Sequence, residues 1–275
     1  MRRAAPSLLA IWLLIPVPAP AQDAIDVHAS YDLYAAGFHV ADMDAALGIG
    51  PHDYDVRLDY HTTGLVSLFH HGHQLNTVFG TWQADRPQPE QFQSVGVWEG
   101  EDKVTLMDYL HGQPLVRKLI PPQDREREPV PLSLQQNSVD SLSALAFMIR
   151  RVTDTGHCDA SLHLFDGNRA SEITAHTAGE ENLLPNSRSI YSGKALRCDF
   201  VGQMLAGFQY QDNTAYDHRP LHGSAWLAAV VPGAPPVPVQ MQFDTRWFGE
   251  ATMYLTQVGE NPPTVVAAHC APVWH

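Results

Sequence analysis

An alternating stretch in the first quarter of the chain constrains the fold most. In YDVRLDYH, apolar or aromatic side chains occupy every second position, namely Tyr54, Val56, Leu58 and Tyr60. A period of two places these side chains on one face of a β-strand and the polar ones on the other. Strands of this kind occur in antiparallel sheets that bury one face and expose the other. The stretch therefore predicts an antiparallel sheet with a one-sided core.

Strand signals continue along most of the sequence. VHASYDLYAAGFHVADMD is typical of extended chain with a turn or bulge at Gly37. FQSVGVWEGEDKVTLMDYLHGQPLVRKLI predicts strands separated at Glu99-Gly100 and at His111-Gly112. Near the C-terminus, GSAWLAAVV and PVPVQMQFDTRWFGEATMYLTQV predict three more strands, the last two joined by a turn at 247–249. The protein is thus expected to be mainly β.

One segment has helical spacing instead. NSVDSLSALAFMIRRV places Leu142, Leu145 and Ile149 on one stripe, which predicts an amphipathic helix over about 139–152. Gly156 follows as a candidate C-cap. A single helix between two sets of strands packs most naturally across the concave face of their sheet. We therefore expect a curved antiparallel sheet or half-open β-barrel, with this helix against its concave face and its stripe lining a groove.

The chain is predicted to form a single domain over 22–275. The charged, proline-bracketed stretch PPQDREREPVP, within a segment of about 121–136, is interpreted as a surface linker before the helix. A short irregular tail is expected from about 259. No internal repeat or low-complexity tract divides the sequence further.

The N-terminus has the pattern of a cleaved secretory signal over 1–21. Arg2 and Arg3 precede an apolar run, and Ala19-Pro20-Ala21 provides a cleavage site. The alternative is a membrane anchor, but the run from Leu8 to Val17 is about half of the ~20 residues that a spanning helix needs. The sequence therefore predicts export to the periplasm, and no transmembrane segment is expected in the mature chain.

Charge excludes two classes of partner. Removing residues 1–21 leaves 15 basic against 30 acidic residues, a net charge of -15 compared with -13 for the whole chain. Binding to nucleic acid requires a basic face that neutralises phosphates, and an anionic membrane surface would repel this chain. Neutral or cationic partners are expected from the overall charge, although this charge leaves open a local basic patch.

The predicted export places the three cysteines in an oxidising compartment. Cys158 begins one alternating run and Cys198 ends another, with a turn, a strand and a loop between them. Such a meander brings its outer strands close together, and thiols pair in an oxidising compartment. We predict a disulfide between Cys158 and Cys198, the alternative being a metal-binding or catalytic cysteine. Cys270 would then be free or pair between chains.

Signatures of catalysis are missing from the sequence. It contains no G-x-S-x-G, H-E-x-x-H, phosphate-binding loop or G-x-G-x-x-G motif. No catalytic residue and no cofactor is predicted.

The densest histidine cluster is FHHGHQL, and three or four imidazoles on neighbouring strands could hold zinc or copper. We interpret these side chains as surface residues rather than a specific metal site; they are His61, His70, His71 and His73.

The order and spacing of several motifs resemble a bacterial exported family known as domain of unknown function 3108. These motifs are YDLYAAGFHVADMD, DSLSALAFMIR, CDASLHLFDGNRASEI, YSGKALRCDF and AWLAAVVPGAPPVPVQMQFDTRWFGEATMYLTQ. The resemblance spans about 28–258. It implies the same cysteine pair and a plan similar to the half-open barrels of periplasmic lipoprotein carriers. It implies no activity, because the family has none established, and a fold alone does not assign function.

Three functional hypotheses follow. The leading one is a non-enzymatic periplasmic envelope protein that binds an apolar or amphipathic small molecule or lipid, or an envelope partner protein, in the groove between sheet and helix. The second is a hydrolase or glycan-processing enzyme with a dispersed site. The third is histidine-based metal binding. A continuous apolar groove favours the first, while converging carboxylates or a nucleophile–base pair favour the second.

Overall fold

The protein is described from a computed structural model over residues 26–64, 66–210, 218–245 and 249–260. The predicted signal sequence, Trp247 and Phe248 of the predicted C-terminal turn, and the tail with Cys270 lie outside these ranges. The described ranges contain thirteen strands: β1 Val27–Ala35, β2 Phe38–Ile49, β3 Asp53–Thr62, β4 Gly72–Gln83, β5 Arg86–Trp98, β6 Glu101–Leu110, β7 Gln113–Ile120, β8 Ala160–Phe165, β9 Ala170–Leu183, β10 Gly193–Ala206, β11 Leu221–Ala228, β12 Val237–Thr245 and β13 Gly249–Glu260.

All thirteen strands belong to one antiparallel sheet, in the order β7-β6-β5-β4-β3-β2-β1-β13-β12-β11-β10-β9-β8. Strands that are consecutive in sequence pair with each other, except β7 and β8, and β1 pairs with both β2 and β13. The sheet curls into a nearly closed barrel whose two edges are β7 and β8. The mainly β, half-open barrel predicted from the sequence is confirmed.

Tight turns join the strands of the first half. The two-residue links Ala36-Gly37, Glu99-Gly100 and His111-Gly112 all have positive φ at both positions. This is the backbone of a type I′ turn, whose twist matches that of the flanking strands. Glycine at the second position accepts this backbone without strain. These links account for the breaks that the sequence predicted at Gly37, Gly100 and Gly112.

The core lies on the concave face of the sheet. On β3, Tyr54 and Val56 are buried, with exposures of 2% and 1%, while Asp53, Asp55 and Arg57 between and beside them are exposed. The alternation read from the sequence therefore gives the direction in which each of these side chains points. At 25 cal/mol per Å² of apolar surface, full burial of one such side chain contributes roughly 1.5–3 kcal/mol.

The amphipathic helix, α3, spans Ser141–Thr155 and packs on the concave face against β3, β4, β5 and β8. It begins two residues later than predicted because Val139 pairs with the edge of β8. The Val139 amide donates to His163 O at 3.0 Å, and Phe165 N donates to Val139 O at 2.9 Å. The helix runs three residues beyond the predicted end and stops at Gly156, a C-cap with φ of 71°.

The segment before α3 is more ordered than a free linker. It contains two single-turn helices, α1 Gln123–Glu126 and α2 Leu132–Gln135. Between them the backbone is bonded to the chain just after β10: Glu128 N donates to Phe208 O at 2.9 Å, and Tyr210 N donates to Glu126 O at 3.1 Å. The segment thus crosses the gap between the sheet edges and joins the two halves of the sheet.

None of the helices within the described ranges is both long enough and apolar enough to cross a membrane.

Candidate ligand-binding site

A cavity of about 440 Å³ lies between α3 and the concave face of the sheet. Its walls come from β1–β3 on one side and from β8–β13 on the other, with α3 between them. The lining is almost wholly aliphatic, aromatic or thioether; representative residues are Leu58, Leu162, Phe200, Met241 and Met253. This volume falls within the range of about 300–1,000 Å³ that is typical of ligand pockets. The arrangement can take up an apolar molecule or chain.

The three residues of the predicted helical stripe all line this cavity. Leu142 and Ile149 are buried, with exposures of 4% and 0%. Leu145 is only partly buried. Leu142 and Ile149 therefore anchor the helix on the sheet, while Leu145 faces the open part of the cavity.

A buried polar network fixes the start of α3. Asp140 is fully buried, and its carboxylate accepts hydrogen bonds from Ser143 N at 2.8 Å and from Ser143 Oγ at 2.6 Å. The Tyr54 hydroxyl donates to Ser143 Oγ at 2.8 Å. Burial raises the pKa of Asp140, against the lowering effect of its bonds from Ser143. A cap of this kind contributes about 1 kcal/mol, and here it also ties the helix to β3.

A disulfide fixes the other end of α3. Cys158, two residues beyond the C-cap Gly156, is bonded to Cys198 on β10. Both cysteines are buried, and both lie on the wall of the cavity. The Cys158 amide also donates to the Thr177 hydroxyl of β9 at 2.9 Å. The helix is therefore held at both ends, and this preforms the cavity.

Beside the cavity lies a second space of about 390 Å³, which has a more polar lining and which we call the polar mouth. Ser141 and Leu164 line both spaces. On β10, Phe200 lines the cavity, while Gly202 and Met204, on the same face further along the strand, line the mouth. The same shift occurs on β9 from Ile173 to Ser171, so one concave surface runs from the apolar cavity to the polar opening.

Charged side chains from three separate segments line this mouth. They are Arg127 from the linker, Arg169 and Asp166 from the β8–β9 turn, and Arg219 from the residues before β11. Arg169 pairs with Asp166, its Nε donating to Oδ2 at 2.6 Å. Arg127 donates to the carbonyl of Gly207 at 2.9 Å. Arg219 is exposed and forms no ion pair with any residue in the described ranges.

This mouth is not predicted by any pattern in the sequence. Arg127 belongs to the charged stretch PPQDREREPVP, and Arg169 lies between the run that begins at Cys158 and the next strand. One feature of the sequence is compatible with a basic site: arginines recur outside the strands and helices of a strongly acidic chain. The Tyr54–Ser143 contact was also missed, because each residue fits its own strand or helix pattern without requiring a partner.

The four histidines considered as metal ligands lie on the convex side of β3 and β4 and in the preceding loop. His61 and His73 are cross-strand neighbours, but each faces a different carboxylate: His61 lies 3.3 Å from Asp42, and His73 lies 2.8 Å from Asp59. His70 contacts Glu99, and His71 is exposed in the loop. Among the described residues, the group whose ligand atoms converge is Asp32, His39 and Asp42.

Comparisons with known proteins agree with this fold. The sequence profile of the family described as "Protein of unknown function (DUF3108)" matches residues 30–256. No curated protein sequence matches the chain. A similar solved structure is a beta-barrel-like protein of domain of unknown function DUF1849 from Brucella abortus, with a TM-score of 0.52 and 14% identity over 87% of this chain and 99% of the other. At this identity the likeness concerns the fold alone.

Proposed function

Because the chain belongs to the family described as Protein of unknown function (DUF3108), we propose its function from the geometry alone: it binds an apolar or amphipathic molecule in the cavity beside α3. The observation that carries the proposal is the continuous apolar lining of a preformed space. Apolar surface that faces an accessible cavity is covered only when an apolar molecule binds there, and this favours a binding role.

The way α3 is held supports the proposal. A helix that only filled the core would bury its whole stripe, yet Leu145 remains partly exposed between the buried Leu142 and Ile149. The cap at Asp140 and the disulfide at Cys158 keep the helix from collapsing onto this space. A pocket that is formed before the ligand arrives avoids the cost of ordering its walls on binding.

The alternative of an enzyme has no comparable support. No Asp, Glu, His or Lys side chain lines the described part of the cavity. Proton transfer and nucleophilic attack need such groups within hydrogen-bond reach of the bound molecule. We therefore base the proposal on binding.

We further propose that the protein acts in the periplasm, as part of the cell envelope. Two features support this location: the signal-like pattern of residues 1–21 and the disulfide between Cys158 and Cys198. Disulfides persist in oxidising compartments and are rare in reducing ones. Fractionation of cells that express the full chain tests the location, with the mature protein expected in the periplasmic fraction and starting near Gln22.

Binding is tested with the neutral fluorescent probe N-phenyl-1-naphthylamine on the purified mature protein. We expect saturable, one-to-one binding. Leu162→Trp fills the cavity from β8 and should weaken probe binding by about tenfold or more, which corresponds to about 1.4 kcal/mol. His163→Trp is the matched control, because the next residue of the same strand is exposed on the opposite face. Unsaturable binding, or equal effects of the two variants when both are folded, would refute the proposal.

A further inference from the structure

We infer that the ligand is an anionic amphiphile, a molecule with an apolar tail and a carboxylate or phosphate head. This inference rests on the proposed binding function and assigns the two ends of the ligand to two parts of the site. The tail occupies the cavity beside α3, and the head lies in the polar mouth lined by Arg127, Arg169 and Arg219.

Continuity of the two spaces is the first step. Ser141 at the start of α3 and Leu164 on β8 belong to both linings. The inner faces of β9 and β10 also run from one space into the other without a change of side. A molecule whose tail lies against Phe200 therefore has its other end directed toward Gly202 and Met204, at the level of the mouth.

Charge is the second step. Among the described residues, three guanidinium groups and one carboxylate line the mouth, in a chain whose formal net charge is -13. Because acidic residues dominate elsewhere, a local excess of arginine concentrates anions here and leaves other surfaces unfavourable to them. A cationic head group would be repelled by the same arginines. The sign of the charge thus selects among amphiphiles that the apolar cavity alone would not distinguish.

The chemistry of arginine is the third step. A guanidinium is planar and presents parallel N–H donors that match the oxygens of a carboxylate or phosphate. Arg219 is exposed and has no ion-pair partner among the described residues. Arg169 is oriented by Asp166 through its Nε and a terminal nitrogen. The mouth therefore holds one guanidinium already fixed in place and another that can move onto an arriving anion.

The test is displacement of N-phenyl-1-naphthylamine by compounds that share one tail and differ in the head: myristate, myristyl phosphate, myristyl alcohol and myristyltrimethylammonium, each below its micelle concentration. We expect the two anions to bind at least about tenfold more tightly than the alcohol, and the cation most weakly. Added salt should reduce the difference between the anions and the alcohol, because it screens exposed charges.

Arg219→Gln is the informative variant. Arg219 forms no ion pair with the described residues, so its replacement should not disturb the fold. It should reduce binding of the anions by about five- to tenfold and leave binding of the alcohol unchanged. Arg86→Gln is the matched control, because Arg86 is also exposed but lies at the start of β5, away from the mouth. Loss of anion preference in Arg219→Gln, with preference kept in Arg86→Gln, supports the inference.

Three other results separate the possible failures. Equal displacement by all four compounds would overturn the inference and leave the apolar cavity as the whole site. Binding of inorganic phosphate as tight as that of myristyl phosphate would also overturn it, because the mouth would then bind free anions. Failure of the neutral probe itself to bind would instead refute the proposed function on which the inference rests.

Discussion

The hydroxyl of Tyr54 donates a hydrogen bond to Ser143 Oγ at 2.8 Å, across 89 positions of sequence. Tyr54 lies on β3 and Ser143 in the first turn of α3, so this bond connects the wall of the barrel to the helix inside it. Ser143 in turn donates to the buried carboxylate of Asp140. A strand, a helix and its N-cap are thereby linked in one chain of hydrogen bonds.

Removing this hydroxyl should lower the free energy of unfolding. Tyr54→Phe keeps the aromatic ring that packs on Trp82 but leaves the Ser143 hydroxyl without its donor, and we expect a loss of about 1 kcal/mol. Urea denaturation measures it. Tyr210→Phe is the control, because Tyr210 is 55% exposed and its substitution should cost nothing measurable. Equal stability of Tyr54→Phe and the wild type would show that the bond does not stabilise the helix.

Two truncations on α3 should differ in how much they lower stability and in whether they alter binding. Ile149→Ala removes a fully buried side chain and should cost about 2–5 kcal/mol, as core truncations do. Leu145→Ala enlarges a space that is already open, so we expect a loss below about 2 kcal/mol together with altered binding of N-phenyl-1-naphthylamine. Thermal denaturation and probe titration measure the two effects. A larger loss of stability in Leu145→Ala than in Ile149→Ala would mean that the helix plugs a closed core.

Loss of the disulfide should destabilise the protein and loosen the cavity. The sequence separation of Cys158 and Cys198 is 40, and closing such a loop contributes roughly 4 kcal/mol in the chain-entropy model. The double variant Cys158→Ser, Cys198→Ser should lose about this amount and bind the neutral probe less tightly. Cys270→Ser is the control. Peptide mapping without reduction should find one crosslinked pair, and two free thiols at these positions in folded, unreduced protein would contradict it.

Stability should depend on the protonation of Asp55. Loss of water, with the charges of Asp26 and Asp53, raises its pKa from 3.8 to about 6. The folded state therefore holds this proton more tightly than the unfolded chain, so the stabilising contribution is present below about pH 4 and is lost as the pH rises through about 6. Because the Asp55 side chain keeps some contact with water, which screens its charge, the change should stay below about 1 kcal/mol.

Asp55→Asn should remove this dependence. Urea denaturation across this range should show the variant gaining stability relative to the wild type as the pH rises. Asp85→Asn, in the exposed turn between β4 and β5, is the matched control and should follow the wild type. A parallel pH profile for Asp55→Asn and the wild type would show that Asp55 titrates alike in both states.

His61, His70, His71 and His73 should bind zinc weakly and without a defined stoichiometry. His61 and His73 face different carboxylates, and His71 is exposed in the loop, so the imidazoles do not share one centre. Tight zinc sites need converging ligands in a fixed geometry. Calorimetric titration at neutral pH measures this, and a submicromolar one-to-one site that disappears in His71→Ala would prove the prediction wrong.

The sequence predicted those parts of the fold that repeat locally. Alternation along YDVRLDYH correctly assigned the buried face of β3, and the leucine spacing around Leu145 located α3 to within three residues. The start of α3 was misplaced because Val139 looks helical in isolation but is bonded to the edge of β8. Such a bond depends on which strand forms the edge of the sheet, and a local sequence pattern does not contain that information.

The mouth could not be predicted for a related reason. Arg127, Arg169 and Arg219 lie dozens of positions apart, on a linker, a turn and a pre-strand segment. Each is an ordinary surface residue in its own segment. Only the curl of the sheet and the crossing of the linker bring them to one opening, and both are set by packing of distant elements rather than by local propensity.

The pairing of β1 with β13 affects how the protein folds and where its chain could be truncated or circularly permuted. β13, the last strand of the described residues, occupies an interior place in the sheet, with Glu260 opposite Val27. Deleting it would not trim an edge but would divide the barrel into separate sheets of seven and five strands. The two halves of the sheet can join only after β13 has been synthesised, and contacts so distant in sequence form slowly. Conversely, in a chain trimmed to the described barrel, a short peptide joining Glu260 to Val27 would leave the sheet intact, and new ends could be opened at an exposed hairpin such as Glu99-Gly100.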